Sequence, residues 1–266
     1  MIERLPRPFR VLLAATLGAS LTLAAGCGST DDDKSSGSSG KSGKTLFVFA
    51  AASLTETFTS LGKTFETAHP GVKVKFNFGG SSALAQQITQ GAPADVFAAA
   101  SPATMKTVTD AKDASGTPTT FVRNRLEIAV PPSNPGKVKT LKDLTDPKLK
   151  VVECAPEVPC GAAAIKALAA ANLKVKPVSQ EQDVKAALTK VQLNEADAAL
   201  VYRTDVKSAA GKVTGIDFPE AAKAINDYPI ATLAKAPQAD LAGQFVQLVL
   251  SAQGKSVLTQ AGFESP

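Results

Sequence analysis

Four polar settings in this chain combine residue types that could hold an anion. Ser53 follows Phe49-Ala-Ala-Ala, and Glu56 stands three residues further on, the Ser-x-x-Glu spacing of a helix capping box. Ser81 follows Gly79-Gly80, Cys154 and Cys160 bracket Ala-Pro-Glu-Val-Pro, and Tyr202 ends the apolar run 198–201. A helix that opens at a serine leaves its first N–H groups unpaired at the positive end of the helix dipole, so an anion can be held there without a basic side chain. Taken singly, each pattern is also that of an ordinary cap or a core tyrosine. Catalysis is harder to build. The one histidine, His69, precedes Pro70 at a helix end, which rules out a Ser-His-Asp arrangement and a His-rich metal site. Thiol chemistry at Cys160 is the remaining enzymatic route, and the five-residue spacing to Cys154 does not match the Cys-x-x-Cys of thiol oxidoreductases. A non-enzyme with no cofactor is therefore expected.

The elements that must position these residues alternate. An apolar strand at 45–50 leads into a helix from Ser53 or Leu54 to about Ala68, stopped by His69-Pro70-Gly71. Residues 72–78 alternate as a half-buried strand, and a helix opens at Ser81. Residues 96–100 read as a buried strand, with Ser101-Pro102 opening a further helix. Asp95 reads as a turn residue before that strand. Further along, 121–130 is a long extended segment, 149–153 a strand, 162–171 an alanine-rich helix and 198–201 a buried strand. Ser179 and Gln182 suggest a cap for a helix over 181–191. The extended segments 213–218 and 227–233 and two amphipathic helices, 238–250 and 254–261, end the chain.

Such alternation implies an α/β fold with mostly parallel sheets covered by helices, which bind ligands at the carboxyl ends of strands. Ser53 and Ser81 lie at such ends. If 121–130 leads out of a first lobe and 227–233 leads back, two lobes are joined by two crossing strands: 45–126 with 229–266 as lobe 1, and 127–228 as lobe 2.

With 266 residues, 44% hydrophobic and 20% charged, the composition is that of a globular protein with a substantial core. The net charge of +5 falls to +3 without residues 1–26, which carry Arg4, Arg7 and Arg10 against Glu3. That balance, 5% aromatics and no tryptophan exclude a nucleic-acid platform. The three arginines precede an apolar run over 11–25, too short to span a bilayer comfortably, which ends Leu23-Ala-Ala-Gly26-Cys27. This resembles a bacterial lipoprotein signal in which Cys27 becomes the lipidated first residue, although Ala24 occupies the usual leucine position. Residues 27–44 then read as a flexible Ser/Gly tether. Export places Cys154 and Cys160 in an oxidising compartment, where a bridge is the commoner state and two reduced cysteines the main alternative.

Six motifs occur in one order: Phe49-Ala-Ala-Ala-Ser53-Leu54, Gly80-Ser-Ser-Ala-Leu-Ala-x-Gln-Ile88, Gly91-Ala-Pro-Ala-Asp-Val-Phe97, Pro156-Glu-Val-Pro-Cys-Gly161, Asp183-Val184 and Leu200-Val-Tyr202. Together they resemble the molybdate-binding proteins of bacterial molybdate ABC transporters over about 45–263. The resemblance implies a type II periplasmic-binding-protein fold, whose two lobes close on a tetrahedral oxyanion. It implies that Ser53 and Ser81 donate from the first lobe, with hydroxyls and main chain, and that Cys160 and Val184 (main-chain N–H) and Tyr202 (hydroxyl) donate from the second. Cys160 departs from the alanine often found there. The implied ligand is molybdate or tungstate, and the implied partners are ABC permease subunits and, through Cys27, the outer face of the cell membrane; a monomer is expected. A fully deprotonated dianion only accepts hydrogen bonds, which suits a socket made of donors. Phosphate still carries a proton at neutral pH, and sulfate is smaller. The competing readings are a receptor for sulfate or thiosulfate and an adhesive or signalling lipoprotein that has lost its ligand.

Overall fold

The computed structural model describes residues 43–266; the expected signal segment, Cys27 and nearly all of the tether lie outside the described residues. The chain begins with β1 (Lys44–Ala51), α1 (Thr55–Ala68), β2 (Val72–Gly79), α2 (Ser81–Thr89), β3 (Val96–Ala98), α3 (Pro102–Asp110) and β4 (Ala114–Asn124). It continues with β5 (Leu126–Val130), β6 (Val151–Cys154), α4 (Pro159–Ala170), β7 (Ser179–Glu181), α5 (Val184–Gln192), β8 (Ala198–Tyr202), α6 (Arg203–Ser208) and β9 (Thr214–Ile216). Finally come β10 (Asn226–Leu233), α7 (Ala239–Leu250) and α8 (Ala252–Gln260).

The strands form two five-stranded sheets, in the orders β2-β1-β3-β10-β4 and β7-β6-β8-β5-β9. Each is mixed. β1 pairs parallel with β2 and β3, and β6 with β7 and β8, whereas β10, β4, β5 and β9 join antiparallel. The chain leaves the first sheet at Arg125, between β4 and β5, and re-enters it with β10.

Alternation along β1 sends Leu46, Val48 and Ala50 to one face of the first sheet and Phe49 to the other. On the first face α1, α7 and α8 bury an aromatic cluster, in which the ring of Phe58 lies 5.9 Å from both Phe121 and Phe245. On the second face Leu84, Ile88, Met105 and Val108 of α2 and α3 cover Phe49 and Phe97. The second sheet has an aliphatic and alanine-rich core, built from β5, β6 and β8 with α4 and α5. Burial of such side chains at roughly 25 cal/mol per Å² is the main driving term for both halves.

Several local expectations are revised. The extended segment 121–130 is two strands in different sheets, interrupted at Arg125, and β4 begins earlier, at Ala114. Gly116 and Pro118 obscure it, and Pro is tolerated because β4 is a sheet edge. Asn226, Asp227 and Tyr228 pair with Asn124, Arg123 and Val122, so these three residues belong to the first sheet and not to the second lobe. Leu126 pairs with Tyr202 and belongs to the second. Ser179 lies in β7 and caps nothing; Asp183 caps α5. Asp95 is fully buried, its carboxylate accepting from the N–H groups of Phe47 at 2.7 Å and Gln238 at 2.6 Å, so it clamps β1 to the entry of α7.

Candidate functional site

Ser53 sits in a 3-10 turn, Ala52–Leu54, between β1 and α1. The expected capping box does not form. The turn is capped at Ala51 without a side-chain bond, the Ser53 hydroxyl meets Tyr228 Oη at 2.9 Å, and Glu56 reaches away to Lys185 Nζ at 2.8 Å. Placing the serine inside the turn turns its Oγ from its own helix toward the crossover strand.

Ser81 is the first residue of α2, with Gly80 as the extended N-cap. Its Oγ accepts from the Ala100 N–H at 3.0 Å, which leaves the hydroxyl proton free to donate elsewhere. Gly80 is needed for close approach: a Cβ there would stand 2.1 Å from the Gln182 carbonyl oxygen of the facing half. Next to it, the Ser82 hydroxyl donates to the Glu157 carbonyl at 2.7 Å.

From the second sheet, β6 ends at Cys154, whose disulfide to Cys160 spans a Cα separation of 5.7 Å. Pro159 opens α4 and Cys160 follows. With its sulfur in the bridge, Cys160 offers the site its main chain and no thiol. Val184 is the first residue of α5, and a helix leaves that N–H unpaired. Asp183 Oδ1 accepts instead from Lys185 at 2.8 Å and Ala186 at 2.9 Å. Tyr202, at the end of β8, is buried, and its Oη accepts from Asn226 Nδ2 at 3.0 Å.

Ser53, Ser81, Cys160, Val184 and Tyr202 line one cavity together with the carboxylate of Asp183. The cavity is small, about 20 Å³. Among the described residues no Lys or Arg lines it. Burial pushes the Tyr202 phenol well above its ordinary range, reinforced by Tyr228 and Asp205, so it remains a protonated donor. Lys185, just past Val184, is engaged by Glu56 across the cleft, by Ser208 Oγ at 2.8 Å and by Asp205 at 3.4 Å. Asp205 is fully buried, and burial raises it to about 6 despite the opposing pull of Lys185. Away from the cavity, buried Glu153 beside Cys154 is raised to about 7 by desolvation, and its Oε1 has no hydrogen-bond partner.

Sequence reasoning did not single out Asn226, Tyr228 and Asn124, which contact the site hydroxyls or each other across long chain separations. No short motif marks them. Asp183 was visible only as the residue before Val184.

The family model for bacterial extracellular solute-binding proteins matches residues 46–264. The molybdate-binding protein ModA of Mycobacterium tuberculosis H37Rv is 45% identical over 255 residues, covering 96% of this chain and 97% of that protein. The substrate-binding domain of a putative molybdenum ABC transporter from Clostridium difficile superposes with a TM-score of 0.63 at 30% identity, over 84% of this chain and 99% of that one. The periplasmic molybdate-binding protein of Azotobacter vinelandii gives a TM-score of 0.73 at 20% identity, over 83% and 99%, and so shares the fold. The chain belongs to the bacterial extracellular solute-binding proteins and, among them, to the molybdate-binding family.

Proposed function

We propose that the protein captures molybdate, and tungstate by the same chemistry, in the cavity between its two halves and delivers it to an ABC permease. The observation that carries the site assignment is the convergence of Ser53, Ser81, Cys160, Val184 and Tyr202 on one cavity free of basic side chains. Ser53 and Ser81 donate through hydroxyls and main chain and Tyr202 through its hydroxyl; Cys160 and Val184 donate through first-turn N–H groups, aided by the dipoles of α4 and α5. Each hydrogen bond to a charged acceptor contributes about 1.5–3 kcal/mol.

Such a set of donors favours an oxyanion that has no proton of its own. Hydrogen phosphate would need an acceptor, and the one carboxylate at the cavity, Asp183, turns its Oδ1 away to the Lys185 and Ala186 N–H groups of α5. Sulfate meets no chemical objection but is smaller, so its oxygens fall short of some donors in a rigid cavity. The disulfide between Cys154 and Cys160 supplies rigidity on one side.

The halves move as two lobes, in this reading, about the crossings at Arg125 and immediately before Asn226. The Glu56–Lys185 pair and the Ser82–Glu157 bond tie the lobes together around the bound anion. Lipid on Cys27 and the tether 27–44 hold a monomeric receptor at the outer face of the cell membrane. The receptor performs no chemical transformation.

A calorimetric titration of the purified protein with sodium molybdate, repeated in excess sulfate and then excess phosphate, tests the proposal. One-to-one binding that survives both competitors is expected. Heat with sulfate and none with molybdate would reassign the ligand, and silence with all three would remove the receptor role.

A further inference from the structure

The three site hydroxyls can each donate or accept, so a cavity in which all three donate requires something to fix their protons. Two asparagines stand directly opposite each other on the crossover strands, Asn124 at the end of β4 and Asn226 at the start of β10. Both are buried. Asn226 Nδ2 lies 2.7 Å from the carbonyl oxygen of Ala100, which can only accept, so the amide orientation is settled by its surroundings. The same nitrogen therefore donates to Tyr202 Oη at 3.0 Å. Asn124 is oriented in the same way: its Oδ1 accepts from the Arg125 N–H at 3.0 Å, which turns Nδ2 to Thr204 Oγ1 at 2.8 Å and, more distantly, to Tyr228 Oη at 3.4 Å. Tyr228 Oη in turn meets Ser53 Oγ at 2.9 Å.

We propose that Asn226 and Asn124 are positioning residues that set the proton direction of the anion site: Asn226 acts on Tyr202 directly, and Asn124 acts on Ser53 through Tyr228. Asn226 occupies a lone pair of Tyr202, which keeps the phenolic proton off that side and leaves it for the anion. Asn124 occupies a lone pair of Tyr228, whose proton goes to Ser53 Oγ and leaves the serine proton for the anion. The third hydroxyl, Ser81, is fixed by the Ala100 N–H, and the carbonyl of Ala100 is held by Asn226. One side chain thus governs Tyr202 directly and braces the residue that governs Ser81. Selection against a protonated oxyanion then resides in residues that never touch it. This inference rests on the assignment of the anion to this cavity.

The test measures affinities for molybdate and for inorganic phosphate, by calorimetry and competition, in Asn226→Asp, Tyr228→Phe and Ser53→Ala. Asn226→Asp keeps the shape but offers Tyr202 an acceptor, which draws the phenolic proton out of the cavity. Molybdate affinity is expected to fall about tenfold or more, with the molybdate-over-phosphate ratio narrowing by a similar factor. Tyr228→Phe keeps the ring packing and frees Ser53 Oγ to accept, so the ratio narrows again by a smaller factor. A packing role would weaken both anions alike and leave the ratio unchanged. An unchanged ratio in Asn226→Asp and Tyr228→Phe, with molybdate binding weakened in Ser53→Ala, overturns the inference while sparing the site. If Asn226→Asp does not fold, an unchanged ratio in Tyr228→Phe alone overturns it. Unchanged molybdate affinity in Ser53→Ala removes the site assignment beneath it.

Discussion

The first sheet brings two hydroxyls to the cavity, on Ser53 and Ser81, with the opening of α2 at the latter, whereas the second brings two helix openings, at Cys160 and Val184, with a single phenol beside them. An N–H has its direction fixed by the covalent backbone and the helix it opens. A hydroxyl rotates, and needs neighbours to tell it which way to donate. The supporting structure differs accordingly. Around the openings of α4 and α5 it consists of a disulfide, Pro159 and the Asp183 cap, all of which fix backbone. Around the hydroxyls it consists of buried polar groups: the Ala100 N–H, the Tyr228 hydroxyl and, behind them, two asparagines. A binding site can therefore be rigid in two senses, in where its atoms sit and in where its protons point.

The comparison breaks most severely if the hydroxyl half is deleted. Ser53→Ala with Ser81→Ala should weaken molybdate binding by about 3 kcal/mol or more, since each bond to a charged acceptor contributes about 1.5–3 kcal/mol. Calorimetry measures it, and a loss under 1 kcal/mol would deny these serines their role. The backbone half can be probed one donor at a time. Proline is well tolerated at the first helical position, and Asp183, with φ −154 and ψ 166, is already extended as a residue before proline should be. Val184→Pro should leave the helix and melting temperature nearly unchanged while weakening molybdate by about 2 kcal/mol.

Removing the bridge sharpens the distinction between position and stability. Cys154→Ser with Cys160→Ser should reduce unfolding free energy by about 2 kcal/mol, the low end for a small closed loop, with a smaller loss of affinity. Denaturant unfolding and titration on the same sample give both numbers. The smallest effect concerns Glu153, whose raised value near 7, against an ordinary 4.5, means that the folded state holds its proton more tightly than the unfolded chain. Its contribution favours folding at low pH and is lost as pH rises through that interval. Glu153→Gln should therefore raise the melting temperature more at pH 8 than at pH 5; equal changes at both would show the carboxyl to be indifferent to burial.

Much of the frame was legible because it depends on local pattern. The apolar runs of β1, β3 and β8, the Ser101-Pro102 opening of α3 and the Gly71 stop, where φ is +88, are decided within a few residues. Ser53 was found for a reason the fold does not use: its spacing to Glu56 suggested a cap, yet the serine turns to Tyr228 and the glutamate to Lys185. β4 was partly hidden because an edge strand tolerates the Gly and Pro that argue against a central one. Val184 carries no chemical signal in its side chain, so only the resemblance could indicate it. Asn124 and Asn226 were illegible because their meaning arises from pairing across the two crossovers.

The absence of a basic lining has a consequence for unloading. Attraction between full charges decays slowly with distance, so a receptor built on ion pairs would go on tugging at its cargo after opening. Hydrogen bonds weaken steeply once a donor is stretched or tilted from its acceptor. In the proposed site, a hinge movement of roughly an ångström or two that carries Val184 and Tyr202 away from Ser53 and Ser81 would therefore abolish the grip abruptly. Cargo release becomes a question of leverage, and a permease that prises the jaws apart need not supply a competing charge.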